Sequence, residues 1–198
     1  MRKKRQKPAG ALGGLIGELT QLCLRELLLL IVCFVVGALL GVFASNNAEL
    51  SYRLGLYTTV DSHLFGSFSD LVMDSVKLYA LAFGLSTSLL ALGMIPLVSG
   101  WYGFCLAYST AIYFAGRGAI PWVAVVTLIP KIGVAAPLFL FACAHGVFFS
   151  KEMFRQLGHA EREVAFHKRL ILLLLIFVAC FLLTVLSCYV ESLLYSIY

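Results

Sequence analysis

Five long apolar runs constrain this chain more than any other feature. They cover residues 27–44, 78–97, 101–116, 119–149 and 170–190. A hydrocarbon layer about 30 Å thick is crossed by roughly 20 apolar residues in a helix. Inside that layer only helices and closed barrels satisfy every backbone N–H and C=O. No alternating ten-residue pattern suggests a barrel, so the runs read as helices. Of the 198 residues, 61% are hydrophobic and 13% charged. A soluble domain carries about 25% charged residues, so too little polar surface remains to cover a soluble core. This excludes a soluble enzyme, a disordered chain and a conventional nucleic-acid binder. The expected fold class is all-α: a polytopic integral membrane protein with about five transmembrane helices.

Lysine and arginine set the expected orientation, because cytoplasmic loops carry them in excess. Arg2, Lys3, Lys4, Arg5, Lys7 and Arg25 precede or open the first run. Lys151, Arg155, Arg162, Lys168 and Arg169 lie between the fourth and fifth. With five spans both blocks fall on one side, giving N-terminus in and C-terminus out. Two domains follow: a basic cytoplasmic segment, 1–26, and a five-span membrane domain, 27–198. The first run is read as an uncleaved span, since it is longer than a signal-peptide core and begins well inside the chain.

Leu12, Leu15, Ile16, Leu19, Leu22 and Cys23 recur at three- and four-residue steps. That spacing predicts either a helix lying on membrane lipid beside the basic head or a cytoplasmic extension of the first helix. Leu64, Phe65, Phe68, Leu71, Val72 and Val76 share a helical face in the outside loop, with Asp70, Asp74 and Lys77 off it. An amphipathic helix on the outer surface is expected there, either resting on lipid, the commoner case, or docking a partner, with Phe65 and Phe68 as candidate partner-docking residues. Of the six cysteines only Cys23 lies outside the runs, and no C-x-x-C spacing occurs. Neither a disulfide framework nor a metal site is expected.

Within the runs, Gly37 and Gly41 form a G-x-x-x-G pair. Such pairs let helices approach closely, within the chain or in a homo-oligomer. Gly100 and Gly103, before Phe104, are expected to pack at a very tight turn between the second and third spans. Lys131 is a charge deep in the fourth run, where charges mark function or a partner. Pro130 beside it, and Pro137 beyond, should break that helix. Glu191 closes the fifth run. Consecutive elements are usually neighbours, and Lys131 and Glu191 then share one layer, so two readings stand: the two pair, or Lys131 snorkels alone to the outer interface. No nucleophile–base pair, H-E-x-x-H or phosphate loop is present, so no catalytic, cofactor-binding or metal residue is assigned and no cofactor is expected.

Taken in order, these motifs resemble the stage II sporulation protein M family. The resemblance rests on the first span with Gly37 and Gly41 followed by Asn46-Asn47, and on Gly100-Trp101-Tyr102-Gly103-Phe104. It rests further on Leu128-Ile129-Pro130-Lys131-Ile132 with Pro137, and on a last span ending in Glu191. It covers residues 27–198. Lys131 and Ile132 stand where the family usually has glutamine and asparagine, so a role of that amide pair does not carry over.

The resemblance implies a multi-pass inner-membrane protein of forespore engulfment. It would act as a non-enzymatic scaffold for the peptidoglycan-cleaving stage II sporulation proteins D and P. Its expected partners are membrane lipid and these membrane-anchored hydrolases, not nucleic acid. More distant relatives resemble permease subunits of ABC-type exporters, which supplies the alternative function.

Overall fold

The computed structural model describes residues 11–47, 68–115, 128–156 and 163–197. Among them are five α-helices: α1 Ala11–Ser45, α2 Phe68–Ser86, α3 Ala91–Ala115, α4 Ala136–Gln156 and α5 Glu163–Ile197. Residues 128–130 are helical as well, and a π-helical turn, Lys131–Ala135, joins them to α4. No strand occurs among the described residues. Four segments are long and apolar enough to cross a membrane: Cys23–Ser45, Ala91–Ile112, Leu128–Phe154 and His167–Leu194.

The helices alternate in direction. Ser99 of α3 bonds to Leu30 of α1, and Gly41 further along α1 meets Phe104 further along α3, so these two run parallel. In α2, Ser75 faces Cys188 and Tyr79 faces Thr184, so α2 opposes α5. Lys151 of α4 reaches Glu26 of α1, while Phe139 earlier in α4 and Phe34 later in α1 both meet Tyr102, so these two are antiparallel.

α4 is the centre. Most of the apolar stretch within Leu128–Phe154 is buried, whereas most of each stretch within Cys23–Ser45 and His167–Leu194 is not. Phe139, Leu140, Ala142, Cys143, Ala144 and Val147 pack there against Leu30, Tyr79, Ile95, Leu173 and Phe177. Small residues let the neighbours close in on α4. A Cβ at Gly146 would run into the Ser86 hydroxyl. Tyr79 anchors the middle through edge-on contacts with Phe139 at 5.5 Å and Phe181 at 5.7 Å. α1 and α5 instead turn rows of large apolar side chains outward, Leu28, Val32, Leu39 and Phe43 among them on α1 and Leu175, Leu182 and Leu186 on α5.

Several expected boundaries are corrected. The 78–97 run is not one helix: residues 78–86 end α2 and residues 91–97 begin α3. The hydroxyls of Thr87 and Ser88 bond the carbonyls of Gly84 and Leu85 at 2.9 and 2.8 Å. These local bonds satisfy the last turn of α2 and compete with its continuation. In consequence Gly100 and Gly103 lie in the middle of α3, not at a turn. Residues 11–45 form one helix, so no separate surface helix precedes the first run and position 26 is not a structural boundary. The amphipathic face of the outside loop is no separate helix either, since residues 68–77 are the first half of α2. Phe65 and Leu64 lie outside the described residues. Glu191 is not the end of its helix, because α5 continues to Ile197.

Candidate functional site

The fourth run loosens where proline demands it. Pro137 has no N–H, and in a regular α-helix its ring would press on the carbonyl of residue 133. The turn just before it is π-helical, and the Ala136 N–H bonds the Lys131 carbonyl five residues back. Such π-bulges occur often at functional sites. The Pro130 carbonyl at the head of this turn accepts a hydrogen bond from Ser187 Oγ of α5 at 2.8 Å. The break is thus tied to a neighbour rather than left open.

Beside it the two expected charges meet. Lys131 Nζ lies 3.5 Å from Glu191 Oε1, with the side chains 12% and 5% exposed. Glu191 belongs to a polar stripe on α5, Thr184, Ser187, Cys188 and Glu191, all buried. The sequence reading missed this stripe. Its spacing of three, four and seven residues in an otherwise apolar helix marks one face, and was the available signal. Tyr79, also missed, donates its hydroxyl to Thr184 Oγ1 at 2.8 Å, while Thr184 donates to the Cys180 carbonyl at 2.9 Å.

These groups border a cavity of about 350 Å³ between α2, α3, the π-turn, α4 and α5. Tyr102 and Phe139 line its apolar part. Lys131, Glu191, Asp74 and Lys77 line its charged part. Asp74 and Lys77 pair at 3.2 Å on the rim. Two α2 and α3 residues that line it, Leu81 and Trp101, are also 53% and 51% exposed on the outside of the bundle.

The glycines form a different site. A Cβ at Gly37 would collide with the Gly100 carbonyl, one at Gly41 with the Phe104 carbonyl, and one at Gly103 with the Phe34 carbonyl. The expected G-x-x-x-G approach is therefore made within the chain, onto α3. Phe104 itself stacks between Trp101 at 5.5 Å and Tyr108 at 5.8 Å. Phe68 opens α2 and sets its ring edge-on against Tyr189, 5.9 Å between centroids. At the opposite end of the bundle from the Lys131 pair, Lys151 pairs with the largely buried Glu26, and Arg169 with Glu152 at 2.7 Å. His145 sits against the Phe141 carbonyl, Nδ1 to oxygen 3.0 Å. Among the described residues no three His, Cys, Asp or Glu side chains converge as metal ligands.

Four helices long and apolar enough to cross a membrane give the chain the character of a multi-pass helical membrane protein. No family model, curated protein or solved structure matches it.

Proposed function

We propose that this is a five-pass plasma-membrane protein that works as a non-enzymatic scaffold. Its N-terminus lies in the cytoplasm and its C-terminus outside. The chain would hold membrane-anchored peptidoglycan-cleaving enzymes, of the stage II sporulation protein D and P kind, in place during engulfment. The family resemblance supplies the identity of the partners.

The observation that carries the reading is the use of polar groups inside the bundle. Ser99 ties α3 to α1, Ser150 ties α4 to the carbonyl of Ser88, Ser187 ties α5 to Pro130, and Tyr79 ties α2 to α5. Each spends its hydroxyl on joining neighbouring segments, which holds shape. The fifth pass is α2. Its three charges, Asp70, Asp74 and Lys77, lie in its first half, towards the end where α1 stops at Ser45, and its other half is uncharged. The alternating helix directions, with Lys151 and Arg169 paired at the end of the bundle opposite Lys131, support the orientation.

A second reading is a permease half driven by a separate ATPase. The broken fourth helix and the charge pair beside a cavity favour it, since transporters place such elements at depth. Affinity capture of the tagged chain in mild detergent separates the two. Co-purification of the peptidoglycan-cleaving enzymes supports the scaffold, an ATPase in their place supports the permease, and neither defeats both. For the orientation, a thiol at Ser62→Cys should be labelled by an impermeant reagent in intact cells and one at Gln156→Cys should not, with the native cysteines replaced.

A further inference from the structure

We propose that the cavity binds a membrane amphipath with a zwitterionic head, one phosphate and one amine, inserting a single hydrocarbon chain through the gap between α2 and α3. The route follows from exposure. Leu81 and Trp101 line the cavity yet are half exposed on the outer wall of the bundle. Trp101 lies ten residues along α3 from Ala91, about 15 Å by helical rise. That level is hydrocarbon, so the cavity opens sideways into the membrane and takes its occupant from there.

The polarity inside matches a lipid's own. Tyr102, Phe139 and Thr184 mark one end and Lys131 and Glu191 the other. Thr184 and Glu191 are seven residues apart on α5, about 10 Å by helical rise. The charged end lies towards the end of the bundle where α1 stops at Ser45, so a lipid of that leaflet enters in its resting direction, head outward and chain inward. A volume of about 350 Å³ is near the lower limit of ligand pockets. It holds the head and the first part of one chain, and the open side leaves the rest of that chain, and any second one, in the bilayer.

The charges select the head. Glu191 is buried and Lys131 partly so, and an anionic head would engage Lys131 and strand Glu191, which is strongly unfavourable. A head with both signs replaces each partner: phosphate at Lys131, ammonium at Glu191. The 3.5 Å separation of the pair exceeds the 2.7–2.9 Å of a tight charge-assisted bond, so the exchange gives up little. Asp74 and Lys77 offer a second balanced pair at the rim. The inference holds whichever activity the chain performs.

The test uses the full chain, delipidated in dodecyl maltoside, with lysophosphatidylethanolamine and the anionic lysophosphatidylglycerol as probes. Bound lipid is counted by native mass spectrometry and its effect read as a shift in melting temperature. One lysophosphatidylethanolamine per chain should be retained, at least tenfold over lysophosphatidylglycerol, with a matching rise in melting temperature. Lys131→Met combined with Glu191→Gln removes both charges together and should erase the preference while the chain stays folded. Ser75→Phe, which fills the cavity from α2, should abolish retention. Equal retention of the two lipids, retention of neither, or an undiminished preference in the double variant overturns the proposal.

Discussion

The α1/α3 seam and the region around the π-turn lie in the same bundle and are held chiefly by different means, with the Ser99–Leu30 bond the one hydroxyl tie described across the seam. At the seam, glycines bring backbone against backbone, and a single added methyl has nowhere to go at Gly37, Gly41 or Gly103. Around the π-turn, side chains span a cavity and are joined by a charge pair and hydroxyl bonds. Lipid is as apolar as leucine, so helices in a membrane gain nothing by hiding apolar surface from it. Close van der Waals contact and polar bonds are the two remaining sources of adhesion. This chain uses the first where it needs a solid wall and the second where it keeps open space.

The seam should fail hardest. Gly37→Leu is expected to lose more than about 3 kcal/mol, because a core without room pays for added atoms in backbone displacement. The readout is folded yield and melting temperature in detergent. Gly100→Ala sharpens the contrast: its Cβ would lie 3.3 Å from the Cys33 carbonyl, so it should cost far less than Gly37→Ala. Equal losses would mean that the seam is not closed by the Gly37 approach.

Next comes the charge pair. Lys131→Met leaves Glu191 buried alone, and breaking such a pair costs about 3–5 kcal/mol, somewhat less here because Lys131 is not fully enclosed. Adding Glu191→Gln should recover part of the loss in a double-mutant thermal unfolding cycle. Simple additivity of the two effects would deny the coupling.

Ser187→Ala removes one bond, to the Pro130 carbonyl. Interhelical bonds in membranes contribute about 0.6 kcal/mol, rarely above about 1.7, so the drop in melting temperature should be small. Smallest of all is Gly84→Ala. Nothing lies within 4 Å of its Cβ, and alanine is favoured over glycine in a helix by up to about 1 kcal/mol. A neutral or slightly raised melting temperature is expected, and a marked loss would show that small residues matter beyond the seam.

What could be read in advance follows the same divide. Long apolar runs and the all-α class were legible, because a hydrocarbon solvent imposes length and self-bonded backbone on any span. The Lys131–Glu191 pair was legible as one of two readings, since two rare charges on consecutive antiparallel helices fall in one layer, and the structure decides against a lysine that snorkels alone. The break at 87–90 was not. In an apolar run helix ends carry no change in polarity, and Ser86-Thr87-Ser88 looks the same whether its hydroxyls bond within a helix or finish one. The partner of Gly37 and Gly41 was equally hidden, because a glycine pair announces close approach without saying to what. Thr184 and Tyr79 escaped because single hydroxyls in apolar helices are common, and only the full stripe to Glu191 sets them apart.

The π-turn at Lys131–Ala135 has a further meaning in terms of phase. An α-helix advances about 100° per residue, and a π-turn absorbs roughly one extra residue. Everything before it is therefore rotated by about that angle relative to an unbroken helix continuing from α4. Deleting one residue within the turn, Gly133 for example, would restore the regular register and swing Lys131 about a quarter of a circle away from Glu191. One inserted codon is enough to decide whether a charge at this level faces its partner or the lipid, so a helix of this kind can gain or lose an interior charge by a change of length without any change of side chain.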